Sequence, residues 1–315
     1  MNRKITIIGV GSVGATVAFM MAVKGLAAEI VMIDINEKKA LGEAMDIRQG
    51  TAFTAPVEIY AGRYEDAAGS DIVVITSGLG RKPGQTRLEL AQVNVGIMKS
   101  IATEISRVCP DAMYVIVSNP VDVLTYVFNK VTDVPESHII GTGTLLDTAR
   151  LRSRLADYLN VSQKNVHAYV LGEHGDSSFV PWSIAQISNV PIGQYQQLLS
   201  GSNEITMSLD YENIEQYMRT SGGKIIGRKG ATFYAIAMSV CHICDCIFSN
   251  ANEILTLSSL MHGEYGVEDV CLSVPTVLNG SGMGGKLILP LSDEENAKLR
   301  HSAEVLRSIV DQVEI

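Results

Sequence analysis

The sequence contains no run of 18 apolar residues, so no membrane-spanning helix is expected. Its first residues, Met-Asn-Arg-Lys, lead straight into Ile5-Thr6-Ile7-Ile8, with no separate apolar segment and no small-residue cleavage site, and a cytoplasmic protein is expected. Basic clusters are missing as well. The 25 lysines and arginines face 34 acidic residues, a net charge of -9, which argues against nucleic acid as a partner. Any anion this chain handles must be met by a few placed arginines. Cysteines are few and odd in number (Cys109, Cys241, Cys244, Cys246 and Cys271), which is no disulfide framework for a chain of this size. The run Cys241-His242-Ile243-Cys244-Asp245-Cys246 does offer thiolates and an imidazole, the donors zinc takes. It nevertheless continues an apolar pattern through Ala231, Tyr234, Ala235, Met238 and Ile247 at three- and four-residue steps, and no second ligand pair is visible. The thiols read as small core residues on a helix, with no metal expected. Internal repeats and low-complexity linkers are also missing, so any two halves should pack closely.

What is present is enough for two cores: 315 residues, 46% of them hydrophobic, exceed the usual single-domain size. Lys4-Ile5-Thr6-Ile7-Ile8 reads as a strand, Gly9-Val10-Gly11-Ser12-Val13-Gly14 as a tight turn, and Ala15 to Met21 as a helix. A second strand, Glu29 to Ile33, ends at Asp34, twenty residues after Gly14. In this arrangement Gly9 makes the turn, Gly11 lets backbone approach a pyrophosphate, and Gly14 permits close helix-to-strand packing. Phosphates then lie at a helix N-terminus, where unpaired amides and the helix dipole favour negative charge. A carboxylate at Asp34 accepts from ribose hydroxyls and repels a 2'-phosphate, so NAD is expected rather than NADP.

The alternation continues: a helix over Ala40 to Gln49, strands over Val57 to Tyr60 and Asp71 to Thr76, a helix over Leu88 to Val108, a strand over Met113 to Ser118, and a helix over Val121 to Lys130. Between them, Ser77-Gly78-Leu79-Gly80-Arg81-Lys82-Pro83-Gly84-Gln85-Thr86-Arg87 reads as a mobile cationic lid on the sheet's carboxyl edge. Asn119 points to the same crevice, and Pro120 is a candidate for a cis bond. The parallel sheet is expected to end with the short strand His138 to Gly141. The fold class is therefore α/β: a doubly wound Rossmann domain over residues 1–142, then an α+β domain over 143–315. In the second part, Asp147, Arg150 and Arg154 share one face of a helix. His174, between Gly172 and Gly175, is the titratable group of its segment whose ordinary pKa lies near neutrality, as proton transfer at a carbonyl requires. The two glycines are expected to allow tight backbone and leave room for a ligand. Gln194 to Thr220 reads as helical but interrupted by Gly222-Gly223 and by Gly227 to Gly230. Thr232 opens the cysteine-bearing helix, Gly266 to Pro275 forms antiparallel strands, and Ser292-Asp293-Glu294-Glu295 is a capping box for a final amphipathic helix.

Taken together, Gly9-x-Gly11-x-x-Gly14 with Asp34, the loop Arg81 to Arg87, Ser118-Asn119-Pro120-Val121-Asp122, Leu146-Asp147-Thr148-Ala149-Arg150, Gly172-Glu173-His174-Gly175-Asp176 and Lys229-Gly230-Ala231-Thr232-Phe233-Tyr234 resemble the L-lactate and malate dehydrogenase family, in order and over nearly the whole chain. The resemblance implies hydride transfer between NAD and a 2-hydroxy acid, with residues 143–315 as the substrate-binding and catalytic domain. It assigns proton transfer to His174, orientation of His174 to Asp147, carbonyl polarisation to Arg87 and clamping of the substrate carboxylate to Arg150. Arg81, Asn119 and Thr232 are implied at the substrate. Gly9, Val10, Gly11, Ser12, Val13, Gly14, Asp34, Ile35, Ser77, Gly78, Val117 and Asn119 are implied at the cofactor.

Two branches of that family compete here. Arg81, six residues before Arg87, is the residue malate enzymes carry to pair with a second carboxylate, where lactate enzymes usually carry glutamine. The Gly172–Asp176 segment, Thr232 and Ile236 resemble the lactate branch. Arg152 and His167 match the positions at which bacterial lactate dehydrogenases hold the effector fructose 1,6-bisphosphate across a subunit interface, which also implies a homotetramer or homodimer. The weight falls on the bacterial L-lactate branch, acting on lactate and pyruvate in fermentation, with malate and oxaloacetate as the alternative. A catalytically inactive dinucleotide-binding protein is the remaining alternative, against which the intact set His174, Asp147, Arg87 and Arg150 speaks.

Overall fold

Alternating apolar runs and amphipathic segments fold into alternating strands and helices. The computed structural model describes residues 3–80, 86–198 and 209–315, with Arg87 and Gln196 described by backbone alone. The first part runs β1 (Lys4–Ile8), α1 (Ser12–Lys24), β2 (Glu29–Ile33), α2 (Glu37–Gly50), β3 (Glu58–Ala61), β4 (Ile72–Ile75), α3 (Arg87–Val108), β5 (Met113–Ile116), α4 (Val121–Val131) and β6 (Ile139–Gly141). The second part runs α5 (Leu145–Leu159), β7 (Val166–His167), β8 (Gln186–Ile187), β9 (Val190–Pro191), α6 (Ile192–Leu198), α7 (Tyr211–Lys229), α8 (Tyr234–Ser249), β10 (Glu253–His262), β11 (Glu268–Asn279), β12 (Gly282–Lys286) and α9 (Asp293–Val310).

Strands β3, β2, β1, β4, β5 and β6 lie side by side in that order and pair in parallel, the Rossmann arrangement. β4 and β5 are buried along their whole length, as strands covered by helices on both faces must be. Because β1 neighbours both β2 and β4, the strand order reverses there, and a crevice opens at the carboxyl ends. Parallel pairing ends at β6, as expected. The sheet itself does not: Ser258 of β10 pairs antiparallel with Gly141, and β11 and β12 extend the same sheet to nine strands. The smaller sheet of β7, β8 and β9 lies apart from it. Among the described residues, no helix is long and apolar enough to cross a membrane.

The helices follow their apolar faces. All five cysteines are free and buried, with Cys241 and Cys244 in the core of α8. In α9 the capping box forms as read: Ser292 Oγ accepts from the Glu295 amide and Glu295 Oε2 accepts from the Ser292 amide at 2.8 Å. Glu295 also accepts from the Ser183 hydroxyl at 2.6 Å, which fastens α9 to the body.

One expectation fails. The glycines at 222, 223 and 227 do not interrupt a helix, since α7 runs through all three and ends at Gly230, whose φ is 85°. Each glycine costs about 1 kcal/mol relative to alanine in a helix interior. Burying Ile214, Met218 and Ser221 in the packing of α7 on α5 outweighs that local preference.

The glycine turn is set by contact. Gly9 has a φ of 95°, and a Cβ on Gly14 would lie 2.0 Å from the Gly9 carbonyl oxygen and 2.8 Å from Thr76 Oγ1. Gly14→Ala is therefore expected to push α1 off β1 and lower the stability measured by urea unfolding by about 1–3 kcal/mol, the usual range for overpacking. Gly42→Ala, in the exposed middle of α2 with open space around it, is expected to raise it by about 0.4–1 kcal/mol. Equal effects of the two variants would refute this account.

Candidate active site

The crevice is built from the carboxyl ends of β1, β2, β4 and β5. The Gly9 amide donates to the Ile33 carbonyl at 2.8 Å, and Asp34 at the end of β2 accepts from the Val10 amide at 2.6 Å. Asp34 thus holds the glycine turn in addition to facing the crevice, while its other oxygen accepts from the Asn36 amide. A carboxylate has about four acceptor sites, so sugar hydroxyls can share it. Gly11 is the N-cap of α1 and has no side chain to satisfy the first helical amides; a Cβ there would meet nothing within 4 Å. An open cradle of backbone amides at a helix N-terminus fits the pyrophosphate of a dinucleotide. Val13 is half-buried, Ser12 and Ile35 are exposed, and Val117 is buried beneath the crevice.

Ser77 and Gly78 follow β4, and Asn119 follows β5. Ser118 Oγ donates to the Ser77 carbonyl at 2.6 Å. Asn94 of α3, 1% exposed, completes the tie: its Oδ1 accepts from the Leu79 amide at 2.9 Å, and its Nδ2 donates to the carbonyls of Leu79 and Asn119 at 3.1 and 2.7 Å. The sequence reading missed Asn94. Its one signal is a polar residue at a helical step from Ala91 and Met98, both core positions. The Asn119-Pro120 bond is cis, and Asn119 is exposed with Oδ1 accepting from the Val121 amide.

The histidine loop is held from three sides. Leu171 pairs with Phe179, and Gly172 exchanges backbone hydrogen bonds with Ser273 of β11 at 3.0 and 3.1 Å. The Glu173 amide donates to Ser302 Oγ of α9 at 2.7 Å, and Ser177 Oγ donates to the buried Glu173 carboxylate. A Cβ on Gly175 would lie 2.4 Å from that carboxylate, so Glu173 takes the space at Gly175 that the sequence suggests is room for a ligand.

His174 is then gripped by two carboxylates. Its Nδ1 lies 2.5 Å from Asp147 Oδ2, and its backbone amide donates to Asp122 Oδ2 at 2.7 Å. Asp147 sits in the first turn of α5, and one turn on, Arg150 Nη1 donates to Asp147 Oδ1 at 2.7 Å. The charge of Asp147 raises the His174 pKa to about 9, against the opposing effect of burial; Asp122 adds to the rise and Arg150 opposes it. Burial alone would raise the Asp147 carboxyl, but His174 and Arg150 outweigh it and hold it below the usual carboxylate range. Asp122, fully enclosed, is pushed up to about 6 by burial, with Ser258 and the His174 amide pulling the other way. With Nδ1 committed to Asp147, Nε2 is the nitrogen left to exchange a proton. The sequence reading gives Asp122 no role beyond its place in the Ser118–Asp122 motif.

Other residues fall elsewhere. Arg81 lies outside the described residues. Arg87 is the first residue of α3, its backbone set by a capping box in which Thr86 and Glu89 bond reciprocally, and its side chain lies outside what is described. Arg154 does not join Asp147 and Arg150; its guanidinium lies over the Tyr217 ring of α7, 4.6 Å from the centroid. Thr232 is half-buried in the link between α7 and α8. Arg152 Nε donates to the Ala168 carbonyl at 3.0 Å, while His167 on β7 is exposed.

Comparison with known proteins agrees with this geometry. Residues 3–141 match the NAD binding domain of the lactate/malate dehydrogenases, and residues 144–315 match their alpha/beta C-terminal domain. The L-lactate dehydrogenase of Thermoanaerobacter pseudethanolicus is 46% identical over 313 residues, 99% of this chain and 100% of the relative. That of Acetivibrio thermocellus is 44% identical over 314 residues, 99% of this chain and 98% of the relative. Among solved structures, the minor L-lactate dehydrogenase of Enterococcus mundtii superposes with a TM-score of 0.94 at 36% identity, covering 100% of this chain and 99% of the other. Both halves are matched, and the likeness runs from end to end: the chain belongs to the lactate/malate dehydrogenase family.

Proposed function

We propose that this NAD-dependent oxidoreductase is an L-lactate dehydrogenase, interconverting (S)-lactate and pyruvate in the cytoplasm. The observation that carries the chemistry is the grip of Asp147 on His174 beside Arg150. Gly9 to Gly14, Asp34, Ile35, Ser77, Gly78, Val117 and Asn119 would hold NAD, which when bound would supply or accept the hydride. As negative charge develops on the carbonyl oxygen, the His174 imidazolium donates its Nε2 proton; in the oxidative direction the neutral ring takes it back. Asp147 fixes the tautomer and supports the cation. Arg150 gives one of its five donors to Asp147 and retains in-plane N–H groups at its edge for the substrate carboxylate. Arg87 polarises the carbonyl, and Asn119 and Thr232 bound the substrate. In this reading residues 1–142 hold the cofactor and lend Arg87 and Asn119 to the substrate, while the substrate-binding and catalytic domain, 143–315, carries Asp147, Arg150, His174 and Thr232.

Substrate choice rests on the L-lactate dehydrogenases found along the whole chain, which outweigh the malate-type Arg81. A finer reading assigns fructose 1,6-bisphosphate to Arg152 and His167 at an interface between subunits of a homotetramer. The exposure of His167 supports it. Arg152 has to share its guanidinium between the Ala168 carbonyl and the phosphate.

Steady-state rates with NADH are expected to favour pyruvate over oxaloacetate in kcat/KM, with a rise on adding fructose 1,6-bisphosphate. A hundredfold preference for oxaloacetate, about 2.7 kcal/mol of transition-state discrimination, would replace the lactate reading with the malate one.

The raised pKa sets the sign of the pH dependence. Pyruvate reduction needs the imidazolium, so its kcat/KM should stay level through neutrality and fall as pH rises through about 9, while lactate oxidation rises over the same range. Asp147→Asn removes the charge that raises the pKa. It should move the fall to lower pH and cut kcat/KM at pH 7 by on the order of 10²–10⁴, the usual worth of general acid–base catalysis. An unmoved pH midpoint would exclude Asp147 as the cause.

Arg150→Lys keeps the charge and loses the fork. It is expected to cost on the order of 2–5 kcal/mol in kcat/KM for pyruvate. A near-normal KM for pyruvate in this variant would remove Arg150 from the clamp.

A further inference from the structure

We propose that His242, Cys246 and Glu253 form a binding site for a zinc ion or a similar borderline-soft divalent cation at the C-terminal end of α8. His242 and Cys246 are one helical turn apart and share a face. The third donor, which the sequence pattern concealed, is brought back by a tight turn. Asn250 and Asn252 both take left-handed backbone, with φ of 53° and 51°, and the Asn250 amide caps the helix on the carbonyls of Cys246 and Ile247. The turn is braced from the β11–β12 hairpin: Asn250 Oδ1 accepts from the Gly280 amide at 2.9 Å, and Asn279 donates to Asn252 Oδ1 at 3.0 Å. Glu253, the first residue of β10, is thereby delivered beside the two helical side chains.

The donor atoms already stand at coordination spacing. His242 Nε2 lies 3.0 Å from Glu253 Oε1, Cys246 Sγ 3.2 Å from Glu253 Oε2, and Sγ 3.8 Å from Nε2. With one donor atom taken from each residue, the three lie within 4.8 Å of one another; tetrahedral zinc with bonds of about 2.0–2.3 Å would separate them by roughly 3.4–3.6 Å, so a small rotation that brings one Glu253 oxygen to both partners completes the set. Cys246 is buried, while the side chains of His242 and Glu253 are a little over two-fifths exposed, which leaves an entry path and a fourth position for water. Cys241 and Cys244 face the core and take no part. On binding, the Cys246 thiol proton leaves to solvent and His242 carries its ring hydrogen on Nδ1. The thiolate and carboxylate then balance the two charges of the cation. Asp245 adds negative charge next to Cys246, and Arg152 of α5 acts on Glu253 in the opposite sense. The site fastens the end of α8 to the start of β10.

Cobalt(II) titration of the full-length, chelator-treated protein tests this. One equivalent per chain should produce a thiolate-to-cobalt charge-transfer band with the visible bands of tetrahedral cobalt, and zinc should abolish both. Cys246→Ala should eliminate the charge-transfer band, and His242→Ala and Glu253→Gln should each weaken binding at least tenfold. At equal zinc concentration the thermal midpoint should rise more in the parent than in His242→Ala. No band in the parent, an undiminished band in Cys246→Ala, or equal affinity in Glu253→Gln would overturn the proposal. His242 and Glu253 lie at the surface, so these variants keep the test decisive even where Cys246→Ala fails to fold.

Discussion

The site depends on one buried carboxylate held between two cations. Asp147 carries its charge inside the protein because His174 and Arg150 each take one of its oxygens. A lone carboxylate at that depth would be neutralised or would destabilise the fold, so the three groups stand or fall as a unit. Their arrangement joins structure to chemistry. The charge of Asp147 holds the His174 pKa up, His174 and Arg150 together make the burial of that charge tolerable, and in the proposed reading the same guanidinium meets the substrate carboxylate.

The surrounding framework keeps that unit in place. The loop carrying His174 has little regular structure of its own and takes its shape from Ser273 on β11, Ser302 on α9 and Asp122 on α4. Those elements are in turn fixed by the shared sheet, which passes without a break from the parallel strands through β6 to the antiparallel β10 and β11. The glycine turn that fits a dinucleotide and the loop that carries His174 are thus anchored to one sheet. Reacting groups held on one rigid element keep their alignment, which is the larger part of what an oriented site contributes.

Legibility in the sequence followed the distance over which each feature acts. The strand–glycine–helix unit with Asp34 could be read directly, because the turn, the helix start and the strand end lie within a few residues of one another. The capping box of α9 was legible for the same reason. The glycines of α7 misled, because a local preference of about 1 kcal/mol per residue yields to burial against α5. Asn94 and Asp122 gave almost no signal: a buried asparagine or aspartate has meaning only through partners 15 to 52 residues away. The cysteine run on α8 was legible as core at Cys241 and Cys244, while the part played by Cys246 depends on Glu253 across a turn.

The sequence by itself determined the order of strands and helices, the glycine turn and its acid, and the identity of the groups available for proton transfer and anion binding. These are matters of local periodicity, backbone freedom and residue chemistry. Only the tertiary structure decided which of these groups meet: that Asp147 faces His174, that Arg154 turns to Tyr217 instead, that Gly175 makes room for Glu173, and that His242, Cys246 and Glu253 converge. Contacts between residues far apart in the chain depend on how helices and strands pack. No single segment carries that information, because each side chain's pKa and partners come from the elements packed against it.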